Sequence, residues 1–183
     1  MSKKALLVID MQRISFTAHT PRFDAEGVVR RINTLSRYFR AKSYPVVFVQ
    51  HDGTKEGECI PGTFEWKLLP ELVVEPTDSL VSKTANDAFY RSELHSLLTR
   101  LKVDELVVTG CATDFCVEAT VQSALVKDLQ VTMVRDGHTT ADRPNLTAKN
   151  VIDHYNWVWE NMTPTNGSIR VLTTEEVLHT GDN

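Results

Sequence analysis

The stretch Ala5-Leu6-Leu7-Val8-Ile9 is an unbroken run of five apolar residues that ends at the acidic residue Asp10. A short continuous apolar run is typical of a β-strand that is buried on both of its faces. The run Val46-Val47-Phe48-Val49, which follows Pro45, has the same character. Both stretches therefore predict strands of a parallel sheet that is covered by helices on each side.

Farther along the chain, short strand-like runs alternate with longer stretches of helical spacing. After Asp24, a candidate helix cap, apolar residues recur at helical intervals up to Phe39. Further strands are predicted at 80–83, 105–109, 131–134 and 168–172. Further helices are predicted at 94–101, 117–125 and 144–157, with a short one near the end of the chain. This alternation predicts one α/β domain over residues 1–183, in which a doubly wound, mainly parallel sheet lies between two layers of helices.

The composition excludes several classes of protein. The 183 residues are 42% hydrophobic and 24% charged, as is usual for globular proteins. The net charge of −4 comes without a basic cluster, which argues against a nucleic-acid partner. No apolar run approaches the roughly 20 residues of a membrane span, and the apolar run at the start is too short for a signal peptide. Three cysteines without an export signal favour a reducing compartment, so we expect a cytoplasmic protein that acts on a small molecule.

The expected position of a ligand follows from the fold class. In an open parallel sheet, ligands bind beyond the carboxyl ends of the strands, near the point where the strand order reverses. The segments that follow predicted strands begin at Asp10, Gln50, Lys83, Gly110 and Asp136. A nucleotide cofactor is disfavoured, because the eight glycines form neither GxGxxG nor the P-loop pattern. We expect no cofactor.

Cys116 is the strongest candidate nucleophile. It lies in the first turn of a predicted helix, where free N–H groups and the positive helix end favour a thiolate, so we expect a pKa below about 8.5. A carboxylate, Asp10, and an ammonium, Lys83, each lie at the end of another strand. The carboxylate would take the thiol proton and the ammonium would favour the thiolate. A purely structural role is the alternative for each of the three.

Three stretches together make the chain similar to the isochorismatase-like cysteine hydrolases, the superfamily of nicotinamidases, N-carbamoylsarcosine amidase and ureide hydrolases. They are Ala5–Gln12, Val81–Lys83 and Val108–Thr120, the last reading VTGCATDFCVEAT. Their order and spacing run through nearly the whole chain, and the last stretch is long and specific. The resemblance implies a catalytic triad of Asp10, Lys83 and Cys116. It also implies a hydrolase that cleaves a small amide, ureide or related acyl compound through a cysteine thioester.

Three further properties are implied by the resemblance. The backbone N–H groups of Ala112 and Cys116 would form the oxyanion hole. The peptide bond Cys111–Ala112 is often cis at this place in the family. Members commonly form homo-oligomers, so we expect a dimer or a tetramer.

Departures from the family pattern narrow the expected chemistry. Metal-dependent nicotinamidases carry an Asp-x-His pair after the second strand, where this chain has Gln50-His51-Asp52-Gly53. A lone histidine does not make a metal site, so we expect no metal and a substrate other than nicotinamide. The isochorismatases themselves hydrolyse a vinyl ether without a cysteine nucleophile, so Cys116 favours the amidase branch. The alternatives are a vinyl-ether hydrolase, a redox thiol with Cys111 as resolving partner, and a non-catalytic member of the fold.

Five side chains in or beside predicted loops are candidates for substrate contacts. They are Phe16, His51, Trp66, Phe115 and His138. A place in the core or a structural hydrogen bond is the alternative for each. The long, irregular segments 13–23 and 51–64 are the candidate lids.

Overall fold

The computed structural model describes residues 3–180, and its centre is a six-stranded parallel sheet. The strands are β1 (Lys4–Ile9), β2 (Val46–His51), β3 (Ser79–Lys83), β4 (Glu105–Cys111), β5 (Gln130–Thr139) and β6 (Ile169–Leu172). Their order across the sheet is β3-β2-β1-β4-β5-β6, and all neighbours are parallel. The strand order reverses between β1 and β4. This topology confirms the predicted α/β class and places the switch point at the ends of those two strands.

Helices cover both faces of the sheet. They are α1 (Ala25–Ala41), α2 (Leu94–Leu101), α3 (Glu118–Leu125), α4 (Ala148–Glu160) and α5 (Thr174–His179). Successive side chains of β1 point to opposite faces: Leu7 packs in one core with side chains of α2, α3 and α4, whereas Leu6 packs in the other with α1 and α5. The result is three layers with two apolar cores. None of the helices within residues 3–180 has the length and apolar character that a membrane crossing requires.

Two helix starts differ from the sequence prediction. The fourth helix begins at Ala148, four residues later than predicted, because Asp142 accepts the N–H of Ala148 at 2.8 Å and Thr147 caps the first turn. Asp24 stands at the start of α1 as expected, but its side chain makes no cap hydrogen bond. Its carboxylate pairs with Arg31 instead.

β5 is longer than the predicted strand 131–134, because its pairing with β4 contains an irregularity. Val108 pairs with Met133, but Gly110 pairs with His138, so β5 has extra unpaired residues between the two contacts. The segment 136–139, predicted as a loop, is therefore part of the strand. This change moves His138 from the predicted loop into the sheet.

Gly110 allows β4 to pass close to β1 at the switch point. Its φ is +124°, and an added Cβ would lie 2.2 Å from the carbonyl oxygen of Ile9. Only glycine fits there. The ends of β1 and β4 are thus held side by side, immediately before Asp10 and the turn that carries Cys116.

Candidate active site

The three side chains of the triad, Asp10, Lys83 and Cys116, meet at the switch point. Lys83 Nζ lies 2.7 Å from Asp10 Oδ2 and 3.4 Å from Cys116 Sγ. Asp10 follows β1 directly, and Lys83 is the last residue of β3, two strands away. Strands are about 4.8 Å apart, so only a long side chain can cross from β3 to the end of β1. The sequence placed these residues at three strand ends, and the fold brings them into contact.

Lys83 is fully buried, and each of its three N–H donors has an acceptor. The acceptors are Asp10 Oδ2, Cys116 Sγ and the carbonyl oxygen of Ala85, the last at 2.8 Å. Burial alone would lower the pKa of Lys83, but the nearby Asp10 carboxylate and Cys116 outweigh it and raise the pKa above its ordinary value. The lysine is therefore a fixed cation.

The pKa of Cys116 is raised, in contrast to the sequence prediction. Burial is the largest cause, the Asp10 carboxylate adds to it, and the Lys83 ammonium opposes both. The prediction failed because it counted the helix end and the ammonium but not the burial of the sulfur. Lys83 is already paired with Asp10, so the two together offer the sulfur little net positive charge. The resting form is the thiol, whose Sγ lies 3.6 Å from Asn86 Oδ1.

A wide helical turn, Thr113–Val117, holds Cys116 ahead of α3. Asp114 fixes this turn, because its carboxylate accepts bonds from Arg143 Nε at 2.6 Å, Arg143 Nη2 at 2.8 Å and Thr140 Oγ1 at 2.7 Å. Burial alone would raise the pKa of Asp114, but these bonds outweigh it and lower the pKa. The sequence predicted Cys116 in the first turn of a regular helix. It lies instead in a wide turn that Asp114 ties to the segment after β5.

The peptide bond between Cys111 and Ala112 is cis, as the resemblance implied. The carbonyl oxygen of Ala112 accepts the N–H groups of Phe115 and Val117, both at 3.1 Å. The oxyanion hole of Ala112 and Cys116 stays a prediction.

A cavity of about 300 Å³, here called the Cys116 cleft, opens over the triad. The segments predicted as lids form its walls: 13–23 contributes Ile14, Ser15 and Arg22, and 51–64 contributes His51, Gly53, Glu56, Glu58 and Cys59. Asp10, Gln12, Asn86 and Cys116 complete the lining. Arg22 and Asn86 carry no sequence signal for the site, because neither lies at a predicted strand end or in a periodic pattern.

Gln12 ties the walls of the Cys116 cleft together. Its amide nitrogen donates to the carbonyl oxygens of Trp66 at 2.8 Å and His51 at 3.1 Å, and its amide oxygen accepts the N–H of His51 at 2.7 Å. Gln50 also donates to the carbonyl of Trp66, at 3.0 Å. The end of β2 and the loop that contains Trp66 are thus fixed relative to β1.

Three polar atoms of residues that line the Cys116 cleft are buried and have no hydrogen-bond partner within residues 3–180. They are Asp10 Oδ1, His51 Nδ1 and Arg22 Nε. Buried polar groups in folded proteins are nearly always paired with protein, water or ligand. These three atoms therefore mark positions at which a polar ligand or a water molecule can complete a hydrogen bond.

Of the five predicted substrate contacts, His51 lines the Cys116 cleft and the other four do not. Phe16 faces a separate groove beside α1. The backbone carbonyl of Trp66 accepts hydrogen bonds from Gln12 and Gln50, and its side chain does not line the cleft. Phe115 is half exposed and stacks under the Arg143 guanidinium, 4.9 Å from the ring centre.

His138 is a structural histidine, which corrects its prediction as a substrate contact. Its ring is buried in β5, with Nδ1 2.8 Å from Thr113 Oγ1 and Nε2 3.1 Å from Asn156 Oδ1. Asn156 uses its NH₂ group on the carbonyl of Arg135 at 3.1 Å, so its oxygen accepts from Nε2–H. Burial lowers the pKa of His138 to about 4. The ring is neutral and has no free nitrogen for a ligand.

The other two thiols, Cys59 and Cys111, lie outside the triad and, unlike Cys116, do not contact Lys83. Burial raises the pKa of Cys111 to about 12 and that of Cys59 to about 11. Both are free thiols, and Cys111 is almost entirely inaccessible. Within residues 3–180, no group of three or more potential ligands is placed to hold a metal ion.

Together, the fold and the site define an α/β protein with an aspartate–lysine–cysteine cluster at the switch point of a parallel sheet. Residues 4–175 match the isochorismatase domain, and the chain belongs to the isochorismatase family. A streptothricin hydrolase from Streptomyces noursei is 36% identical over 141 residues, which are 77% of this chain and 56% of that protein. The chain thus spans little more than half the length of this relative.

Two further likenesses agree with this assignment. A ureidoacrylate amidohydrolase, RutB, from Caulobacter vibrioides is 30% identical over 101 residues, or 53% of this chain and 44% of that protein. A solved isochorismatase-family structure from Chromobacterium violaceum superimposes with a TM-score of 0.87 at 27% identity, covering 97% of this chain and 92% of the other. The family and fold expected from the sequence are confirmed.

Proposed function

We propose that the protein is a cysteine hydrolase that cleaves the C–N bond of a small amide or ureide through a thioester on Cys116. The observation that carries this proposal is the contact between Lys83 and both Asp10 and Cys116 at the base of a cleft. A base, a fixed cation and a thiol are the parts that nucleophilic catalysis by cysteine needs. The names of the relatives, streptothricin hydrolase and ureidoacrylate amidohydrolase, support a hydrolase of this kind.

In the first half-reaction, the thiol proton moves to Asp10 as the sulfur attacks the substrate carbonyl carbon. Asp10 Oδ1 is free to take it, because only Oδ2 is bonded to Lys83. The transfer leaves the net charge of the triad at zero, so it needs no outside proton acceptor. The C=O electron pair becomes an oxyanion, which the N–H groups of Ala112 and Cys116 would accept. When the oxyanion collapses, the C–N bond breaks and Asp10 returns its proton to the leaving nitrogen.

In the second half-reaction, water replaces the amine in the Cys116 cleft. Asp10, again a carboxylate, removes a proton from this water as its oxygen attacks the thioester carbon. The C–S bond breaks, the sulfur recovers the proton from Asp10, and the acid product leaves. Lys83 stays charged throughout and holds the carboxylate in place, which its three filled hydrogen bonds favour.

The test is a panel of small amides and ureides assayed for released ammonia or amine. Replacing the nucleophile costs serine hydrolases up to about 10⁶ in kcat, so we expect Cys116→Ala to lose at least about 10³-fold. Cys111→Ala, which removes a neighbouring thiol, is the matched control and should keep the ability to turn over substrate. Hydroxylamine should trap an acyl group on the wild-type protein. Undiminished turnover by Cys116→Ala would refute the thioester route.

A further inference from the structure

Arg22 is a cation of the Cys116 cleft without a counter-ion. Its side chain is partly buried and lines the cleft, and its Nε is inaccessible and unbonded within residues 3–180. Arg31, Arg40, Arg135, Arg143 and Arg170 show the contrast, since each is paired with a carboxylate. A buried guanidinium N–H without an acceptor is costly to keep, so the described residues leave Arg22 short of an acceptor and of a counter-ion.

None of the carboxylates near Arg22 acts as its counter-ion within the described residues. Asp10 is paired with Lys83. Glu56 and Glu58 are exposed on the outer wall of the cleft and form no ion pair within the described chain. Asp142 shares a neighbouring groove with Arg22, but the two side chains form no ion pair within the described residues, and Asp142 instead accepts the N–H of Ala148. Because the resting triad has no net charge, Arg22 supplies the unbalanced positive charge in the interior of the cleft.

The fold holds Arg22 in position through the next residue. The N–H of Phe23 donates to the carbonyl of Thr140 at 2.9 Å, and its own carbonyl accepts from Thr139 Oγ1 at 2.6 Å. Thr139 is the last residue of β5. The loop is thus fixed to the same edge of the sheet as the triad, so the backbone of Arg22 is positioned before any ligand binds.

We propose that Arg22 binds a carboxylate on the substrate, so that the cleft selects small anionic amides or ureides over neutral ones. A guanidinium holds a carboxylate through two parallel hydrogen bonds, and the Nη groups of Arg22, which are not enclosed as its Nε is, supply the donors. The inference rests on the proposed function for the reaction, but its binding part does not depend on turnover. Arg22 is a specificity-determining residue and takes no part in proton transfer.

Alkylation of Cys116 by two matched reagents tests the proposal. Iodoacetate and iodoacetamide differ only in a carboxylate against a carboxamide, and peptide mass reads the rate at each cysteine. We expect the iodoacetate-to-iodoacetamide ratio at Cys116 to fall about tenfold or more in Arg22→Gln and by much less in Arg22→Lys, because a charge-assisted bond is lost only in the first.

The control variant is Arg13→Gln, which makes the same charge change in the same loop. Arg13 does not line the cleft and stacks on Phe64, 4.2 Å from the ring centre. The variant Arg13→Gln should leave the iodoacetate-to-iodoacetamide ratio at Cys116 unchanged. Circular dichroism checks that each variant is folded, and if Arg22→Gln is not, Arg22→Met, which removes the same charge, takes its place. A ratio in Arg22→Gln within twofold of the wild type would overturn the role of Arg22.

A binding measurement separates this proposal from the proposed function. Calorimetric titration with succinate and with its neutral diamide, succinamide, needs no reaction at Cys116. We expect Arg22→Gln to weaken succinate at least about tenfold and to leave succinamide unaffected. If Cys116 reacts with neither iodo reagent, the nucleophile fails and the titration still decides on Arg22. Equal binding of succinate by wild type and Arg22→Gln, or none by the wild type, counts against the anion site.

Discussion

Removing the charge of Asp10 should abolish turnover and yet make Cys116 easier to ionise. In Asp10→Asn, the base is lost, so the two half-reactions no longer have a proton acceptor. The same change frees Lys83 from its carboxylate partner, while Cys116 Sγ and the carbonyl of Ala85 remain as its acceptors. The ammonium then stabilises the thiolate without opposition from the carboxylate, although burial still disfavours the thiolate. The pKa of Cys116 should therefore fall.

The size of this fall follows from the distances in the triad. Asp10 Oδ2 and Cys116 Sγ contact the same nitrogen, at 2.7 and 3.4 Å. The two atoms therefore lie within about 6 Å of each other, where unit charges interact by about 3 kcal/mol at an effective dielectric constant of 20. This energy corresponds to a drop of about 2 in the pKa of Cys116. Lys83→Met should have the opposite effect and raise the pKa.

The assay is the pH dependence of iodoacetamide alkylation at each cysteine, read by peptide mass. Cys59 and Cys111 are internal references. Asp10 also raises their pKa, so their own change between wild type and Asp10→Asn is measured and compared with the change at Cys116. Glu58→Gln removes an exposed carboxylate from the same cleft and should leave the pKa of Cys116 unaltered. If Cys116 in Asp10→Asn titrates at the wild-type pH or higher, the charge balance assigned to the triad is wrong.

Two further predictions concern the structure around the site. The pKa of His138 is about 4 in the folded protein and about 6.5 in the unfolded chain. Between these pH values the unfolded chain binds more protons than the folded protein. The free energy of unfolding should therefore fall by about 3 kcal/mol as the pH is lowered from 7 to 4. Urea titrations of wild type and His138→Gln check this, and an equal pH dependence in both would contradict it. Asp114→Asn, which breaks the bonds to Arg143, should lower kcat about tenfold or more by loosening the Cys116 turn, with little change in KM; steady-state kinetics measure both. A raised KM with unchanged kcat would instead place Asp114 in substrate binding.

The parts of the fold that depend on local pattern could be predicted from the sequence. The runs at 5–9 and 46–49 are strands because their residues are apolar on both faces, and the structure buries them fully. The start of α4 could not be predicted, because besides the cap by Thr147 it depends on Asp142, six residues before the helix, which accepts the N–H of Ala148. The length of β5 depends on an irregular pairing with β4. Both are decided by partners that no local window contains.

The candidate site likewise has features that could be predicted from the sequence and features that could not. The positions of Asp10, Lys83 and Cys116 could be predicted, because parallel strands bring their carboxyl ends to one edge. The direction of the pKa shift of Cys116 could not, because it depends first on how deeply the sulfur is buried and then on which side chain pairs with Lys83. Arg22 carries no sequence signal, since an arginine in an irregular loop is ordinarily solvated. Its significance comes from the missing counter-ion, which only the packed structure reveals.

The charge balance of the triad also distinguishes a hydrolase from the redox thiol considered as an alternative. Peroxide oxidises thiolates, so a redox sensor needs a cysteine that is ionised at rest and a resolving cysteine within reach. Here burial and the Asp10 carboxylate keep Cys116 protonated, and Cys111 is inaccessible with a pKa of about 12. A hydrolase needs the thiolate only while a carbonyl is bound, when Asp10 can take the proton and the developing oxyanion can receive hydrogen bonds. A thiol that is activated only with its substrate suits acyl transfer and resists oxidation between turnovers.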